Sequence, residues 1–433
     1  MRIILLNQAF YPDHAATAQH AHDLAKYLVA QGHDVAVVAS RSIYGSKGAA
    51  LPKRETVDGI EVHRVGKSLF GKSSIIARLF DFVLFYLLAL SKVLTIRRPD
   101  VIVPFSTPPF IALVGWMLKT VKRCKCVYWV MDLYPDVPIA FGIIKPNGPS
   151  ARLLERVHRF CFKHCDRSVV LGRCMRDRLI GKGVAPEKIA LIPPWADIDE
   201  LQPLPRDQNP LRKEWGLEGK LVVMYSGNLG LAHDIDTLRG AMEKLKARDD
   251  IRFLFVGGGK LMTQMQQGCE THNLPNAVFK PYQPREAIRT SLSLADLHLI
   301  SQAEKMTGLL VPSKLYGIMA AGRASVFVGC EQAEVARVLT ENHAGRVVAV
   351  GDIDALADTI TSLADDPQTC RRMGEAARDA MAKTYDRRHA CATWERLLTE
   401  CVSGHIPDLT DDTHQSAAPS APAEPAEVHG LER

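Results

Sequence analysis

Residues 307–322, TGLLVPSKLYGIMAAG, set a proline, a hydroxyl and a lysine side by side at what reads as a helix start. Pro312 fixes a turn, Ser313 is of the type that caps helices, and Lys314 to Ala321 is mostly helix-forming. Free N–H groups at such a start, with an ammonium one residue inside the first turn, make a place for an anion such as a phosphate. An ordinary capped helix with a solvated lysine is the plain alternative. Ser226-Gly227-Asn228-Leu229-Gly230 offers a second lining of exposed N–H groups, although a simple turn explains it nearly as well.

The other patterned residues are weaker. Residues 66–73, GKSLFGKS, match the phosphate-loop spacing G-x-x-x-x-G-K-S around Lys72, and Asp132 after an apolar run could serve as a metal-binding partner. The preceding run carries Glu61, His63 and Arg64, unlike the apolar strand that normally feeds such a loop, and this reading explains nothing beyond residue 210. Gly257-Gly258-Gly259 lacks the third glycine of a dinucleotide fingerprint, which disfavours a hydride-transfer cofactor, but fits a tight turn near a ligand. Three D-x-D pairs occur, at Asp197/Asp199, Asp234/Asp236 and Asp352/Asp354. The last two sit where helices should begin, so capping accounts for them and no metal is expected. His158, Cys161, His164 and Cys165 share one helical stretch, where packing outweighs metal binding.

The chain that positions these residues is 433 residues long and 47% apolar, too long for one ordinary domain. Its net charge of +6 includes a tail from 404 that carries −5, leaving +11 on the body, which suits anionic partners. Ten cysteines without a C-x-x-C pair, and a start that does not read as a signal peptide, fit a reducing cytoplasmic setting. Neither long apolar run, 79–90 or 108–118, reaches the roughly 18 to 20 residues that a membrane span requires.

Strand candidates at 2–7, 34–40, 60–65, 101–105, 127–131, 168–171 and 189–192, most of them apolar and separated by helical stretches, predict a parallel sheet covered on both faces. The proline-rich stretch 193–210 reads as a linker, after which strands at 221–225, 251–256, 278–280, 296–300, 325–328 and 345–350 repeat the scheme. We therefore expect an N-terminal domain over 1–200, a C-terminal domain over 205–385, a crossover helix over 386–403 returning to the first domain, and a disordered acidic tail over 404–433. Ligands of two facing doubly wound sheets bind in the cleft between their carboxyl ends. Residues 80–90, FDFVLFYLLAL, are either core or a membrane-interface helix, with basic residues at 119–125 and 152–163 in the same half.

In order, LLNQAFYPDHAATAQHAHDLAKYLVAQGHDVAVVAS, DLYPD, KIALIPPWADIDELQP, YSGNLGLAHDIDTL, FVGGGK, VFKPYQPREAI and VPSKLYGIMAAGRASVFVG resemble the retaining glycosyltransferases of family 4. The branch they resemble builds bacterial surface polysaccharides, including lipopolysaccharide, colanic acid and exopolysaccharide, on a polyprenyl-diphosphate carrier. The resemblance implies an α/β protein of the GT-B fold: two facing doubly wound Rossmann-like domains, a central cleft and a C-terminal crossover helix. It places Tyr282 and Gln283 beside the base of a nucleotide sugar, and Gly227, Asn228, Ser313 and Lys314 at its diphosphate, with Gly258 nearby. From the first domain, Asp13, Ala16, Thr17 and Asp132 approach sugar and acceptor. Two glutamates that many relatives use are replaced by Leu309 and Gly317, and a basic pair aligns with Asn228 and His233. Lys314, Lys305, Arg323 and Glu304 are the nearest substitutes for the ribose contact and phosphate charge.

The expected function is transfer of a hexose or amino-hexose, with retention, from a UDP-linked donor to a lipid-linked glycan acceptor. Lys314 would stabilise the departing diphosphate and Asp132 would orient or deprotonate the acceptor hydroxyl. No cofactor, metal or nucleic acid enters this scheme; a membrane surface, met peripherally on its cytoplasmic face, does. The rival expectations are a phosphate-loop NTPase using residues 66–73 and a non-catalytic membrane-associated partner of polysaccharide assembly.

Overall fold

The computed structural model describes residues 1–43, 50–66 and 75–404, so most of the 66–73 phosphate-loop pattern, Lys72 included, and the tail from 405 lie outside it. The first sheet contains β1 (Arg2–Leu6), β2 (Asp34–Ser40), β3 (Arg54–Val57), β4 (Ile60–Val65), β5 (Val101–Pro104), β6 (Lys125–Val130), β7 (Arg167–Val170) and β8 (Ile189–Leu191). Their spatial order is β3-β4-β2-β1-β5-β6-β7-β8. Only the β3–β4 pair is antiparallel among the described strands. β3, with the polar sequence RETV, has no apolar pattern to announce it; it exists by pairing with β4 at the sheet edge.

The second sheet, β11-β10-β9-β12-β13-β14, is parallel throughout. Its strands are β9 (Leu221–Asn228), β10 (Ile251–Gly258), β11 (Ala277–Lys280), β12 (Leu297–Ser301), β13 (Ala324–Val328) and β14 (Gly345–Val348). β9 and β10 run further than their apolar residues, into the glycines at their carboxyl ends. In both sheets the order reverses beside the first strand, between β1 and β5 and between β9 and β12, which is where a crevice opens at the carboxyl edge.

In the first half the helices are α1 (Ala16–Ala30), α2 (Ile75–Thr95), α3 (Ala112–Lys122), α4 (Asp136–Ala140), α5 (Pro149–His164) and α6 (Arg173–Gly181). In the second half they are α7 (Pro210–Glu214), α8 (Asp236–Lys244), α9 (Lys260–Thr271), α10 (Ile288–Leu294), α11 (Lys314–Ala320), α12 (Glu334–Glu341), α13 (Ile353–Asp365) and α14 (Pro367–Ala380). The crossover helix α15 (Arg387–Ser403) follows a π-helical turn at Met381–Tyr385 and packs on α1. Trp394 on α15 lies with its ring centroid 4.4 Å from that of Trp129 on β6, which in turn stacks on Trp195 at 5.6 Å. One apolar cluster therefore runs from Ile3 and Leu24 through these three tryptophans to Leu315, Val335 and Leu339 of the second half. Aromatic pairs of this kind contribute about 0.5–1.5 kcal/mol each beyond their burial.

Among the described residues no helix is long and apolar enough to cross a membrane.

Candidate active site

The site is best built from β9. Its last residues, Ser226, Gly227 and Asn228, end at the switch point, and Gly227 takes φ +114°, a conformation open to glycine and strained for other residues. A Cβ added there would lie 3.8 Å from the Lys314 Nζ and near no other side chain. Lys314 thus faces the end of β9, as its place at the start of α11 suggested. Its ammonium rests over the Tyr225 ring, 3.7 Å from the centroid, and also hydrogen-bonds the Tyr225 hydroxyl. It has no acidic partner among the described residues, and desolvation pulls its pKa from 10.5 down to about 7.

Tyr225, fully buried, connects this lysine to the loop before α8. Its hydroxyl reaches the Asn228 carbonyl at 3.0 Å and His233 Nε2 at 3.3 Å. His233 Nδ1 bonds the Ser301 carbonyl, which can only accept, so the proton is on Nδ1 and Nε2 is left as an acceptor. Burial, reinforced by the Lys314 charge, holds the His233 pKa at about 3. Where relatives in the resembled family carry a second cation, this chain therefore carries a neutral ring. Sequence reasoning passed over Tyr225 and the bracing role of His233; a tyrosine in a buried strand has no signal that distinguishes it from core.

The glycine run proves to be a packing device. A Cβ on Gly257 would stand 2.3 Å from the Gly227 carbonyl oxygen, and one on Gly259 would stand 2.6 Å from both Leu229 O and Asn228 Oδ1. Those two glycines let the ends of β9 and β10 close on one another. Gly258 instead abuts Tyr282, whose ring is 3.0 Å from its Cβ position and 59% exposed. Gln283 beside it donates to the Pro281 carbonyl at 3.0 Å.

Several expected residues serve other ends. Ser313 adopts helical angles and makes no side-chain cap, because α11 already begins around it. Arg323 donates to the Leu204 and Ser293 carbonyls, both at 2.6 Å. It precedes β13, so it lies at the amino edge of the sheet and ties the linker down instead of approaching a phosphate. Glu304 and Lys305 are exposed on the turn after β12, and Lys305 borders a groove of about 500 Å³ with His233, Asp234 and Arg239. Leu309 is core, and a Cβ at Gly317 would meet only Leu292 and Leu201, so both glutamate positions of the relatives have become apolar here. Asp234 and Asp352 accept helix-start N–H bonds, and Asp197 accepts from Asp199 and Glu200. His158 bonds the Tyr134 carbonyl, and Cys161 and Cys165 are free thiols in the core.

Across the cleft, Asp132 follows β6. The buried Ser106 hydroxyl accepts the N–H groups of Met131 and Asp132, both at 3.0 Å, which fixes the turn. The Asp132 carboxyl has no hydrogen-bond or ion partner among the described residues, and desolvation raises its pKa to about 6. Asp13 is buried and accepts from Ala15 N at 2.9 Å, starting α1, on whose first turn Ala16 and Thr17 lie. The two edges touch directly: Leu133 N donates to the Leu309 carbonyl at 2.9 Å.

This arrangement has known counterparts. Residues 16–195 match the family described as glycosyl transferase 4-like domain, and residues 207–380 match glycosyl transferases group 1. The chain is 28% identical over 292 residues to a probable glycosyltransferase, WbjE, of Pseudomonas aeruginosa, covering 67% of this chain and 72% of that protein. It is 25% identical over 361 residues to a putative colanic acid biosynthesis glycosyl transferase, WcaI, of Escherichia coli (strain K12), covering 81% and 88%. Anabaena HepE, solved in complex with UDP-glucose, superposes with a TM-score of 0.68 at 16% identity, over 92% of this chain and all of that one. The chain belongs to the glycosyltransferases, a 4-like domain followed by a group 1 domain on the two-sheet GT-B architecture.

Proposed function

We propose that the enzyme moves a hexose or amino-hexose, with retention, from a UDP-linked sugar to a polyprenyl-diphosphate-linked acceptor in cell-surface polysaccharide synthesis. The observation that carries the reading is Lys314: a desolvated ammonium without a counter-ion, aimed at the glycine end of β9. Such a cation gains most from an anion that develops charge as a bond breaks, which is the situation of a departing diphosphate. Asp132, equally without a partner, is available to orient or deprotonate the acceptor hydroxyl. WcaI's description as a colanic acid enzyme and HepE's complex with UDP-glucose support the class of product and the choice of nucleotide. The scheme assigns no role to a metal, the D-x-D carboxylates being engaged in caps and turns.

A lipid-linked acceptor calls for a membrane-facing surface, and α5 offers one. Arg152, Arg156, Arg159 and Lys163 are exposed at helical spacing with no acidic partner among the described residues. α3, which packs on α5, exposes Val121, 66%, and α2, which packs on α3, exposes Leu79 and Leu87, 61% and 62%. We assign this face to the anionic inner leaflet of the cytoplasmic membrane, as a peripheral contact.

A thermal-shift panel of UDP-, GDP-, ADP- and dTDP-sugars on the native chain and on Lys314→Ala tests the reading. A rise in melting temperature for a UDP-sugar, abolished by Lys314→Ala, is the expected result; a rise that survives in the variant overturns the assignment of Lys314. Binding without turnover, in the presence of lipid-linked acceptors, would favour a non-catalytic partner.

A further inference from the structure

A many-stranded contact between the two halves lies at the first turn of α6. Glu334, the first residue of α12, is 5% exposed and reaches across to this turn. Its Oε2 accepts the Arg173 backbone N–H at 2.6 Å and its Oε1 accepts Arg173 Nε at 3.0 Å. A carboxylate from the second half thus caps a helix of the first. The Arg173 guanidinium also donates to Glu341, one end of α12 away, at 2.7 and 3.0 Å. Gly172 makes room for this: it is extended, φ −166°, so it is not needed for its backbone freedom, but a Cβ there would stand 2.8 to 2.9 Å from Glu334.

Gly308 meets the same turn. Gly308, at φ +75°, approaches so closely that its Cβ position is 2.9 Å from the Cys174 carbonyl oxygen. Arg178, one turn further along α6, joins Asp136 of the first half at 3.3 Å to the Thr307 carbonyl of the second at 3.4 Å. The gripped segments lead straight to the chemistry. Residues 307–309 open the loop that ends at Lys314, and Leu309 accepts from Leu133, the residue after Asp132.

We propose that Glu334 and Arg173 are positioning residues for sugar transfer: clasping the first turn of α6 between α12 and Gly308 sets the Asp132 turn against the Lys314 loop. The inference rests on the donor and acceptor roles given above to Lys314 and Asp132. The covalent crossing between the halves is elsewhere, at Ala196 and Asp386, where Arg387 N meets the Ala196 carbonyl at 3.0 Å. With that crossing as the fixed side, loss of the clasp leaves the cleft free to open about it, and the reacting groups move apart without either being altered.

The full chain is compared with Glu334→Ala, Glu334→Gln and Glu341→Gln by thermal melting, by small-angle scattering without ligand, and by kinetics with whichever nucleotide sugar the panel selects. Because displacement of about an ångström costs on the order of 100-fold, kcat of Glu334→Ala should fall roughly 10- to 100-fold while the donor KM stays within about threefold. The radius of gyration should rise. Glu334→Gln keeps an acceptor for the Arg173 amide and should fall between, and Glu341→Gln, which removes the exposed partner, should stay within about twofold. Activity of Glu334→Ala that tracks only its folded fraction, or a radius identical to that of the native chain, overturns the proposal. If the native chain turns over no nucleotide sugar, the functional reading fails, while the scattering still decides the clasp.

Discussion

At the carboxyl edge of the second sheet the ionisable group is a lysine, and at the matching edge of the first it is an aspartate. Both are partly withdrawn from water without receiving a counter-ion among the described residues. The Lys314 pKa comes down to about 7 and the Asp132 pKa goes up to about 6, each by desolvation. Their supports differ. Lys314 is held through its side chain, by the Tyr225 ring and hydroxyl, whereas Asp132 is held through its backbone, by Ser106, with its carboxyl left alone. A braced cation suits a ligand whose charge is always in one place; an unbraced carboxyl suits a hydroxyl whose proton must move. Arg173, by contrast, is paired with the carboxylates of Glu334 and Glu341.

The two edges can be broken one at a time. Asp132→Asn removes the base but not the Ser106 bonds to its backbone, so turnover should fall roughly 10²- to 10⁴-fold with UDP affinity unchanged by calorimetry. Lys314→Ala should cost on the order of 10² to 10³ in turnover and weaken UDP binding as well. Equal loss of UDP affinity in both variants would erase the distinction between the edges.

Titration should report both groups at once. Asp132 acts ionised, so kcat/KM rises with pH through about 6; Lys314 acts as ammonium, so kcat/KM falls as pH passes about 7. The free enzyme should show a narrow bell between those values, and Asp132→Asn should lose its acid limb alone. Stability moves differently. The folded chain releases the Lys314 proton more readily than the unfolded chain, with its ordinary value of 10.5, so this group's contribution to stability grows as pH rises from about 7 towards 10. The folded chain holds the Asp132 proton more tightly, so that contribution is greatest below pH 4 and is lost as pH climbs to about 6.

How much of this could be read from residues alone follows from the range of the interactions. The run 34–40 is a buried strand because its own side chains make it so, and it appears at the expected bounds. The start of α11 was legible for the same local reason. Arg323 was misread because it is only nine positions from Lys314 in sequence, while the helix that Lys314 begins, seven residues at 1.5 Å each, carries the chain roughly 10 Å to the opposite edge of the sheet. Tyr225 was unreadable because its meaning lies in a lysine 89 positions later. Glu334 is the acidic first residue of its own helix, and only the packing of the two halves shows that it caps a different one.

Tyr225→Phe probes the smallest difference between the edges. It deletes the hydroxyl that meets Lys314, the Asn228 carbonyl and His233 Nε2, while leaving the ring under the ammonium. The attraction of cation to ring, about 0.5–2 kcal/mol, survives. The hydrogen bond, with a net value of about 0.5–1.5 kcal/mol, is lost, so the donor KM should rise roughly 2- to 10-fold. The ammonium form loses an acceptor, which favours the neutral amine, so the alkaline limb of kcat/KM should move below pH 7. The acid limb should not move, because Asp132 is braced from Ser106 and not from β9. A displaced acid limb in Tyr225→Phe would mean that the two groups titrate as one unit, and the contrast between a braced cation and a solitary carboxyl would have to be given up.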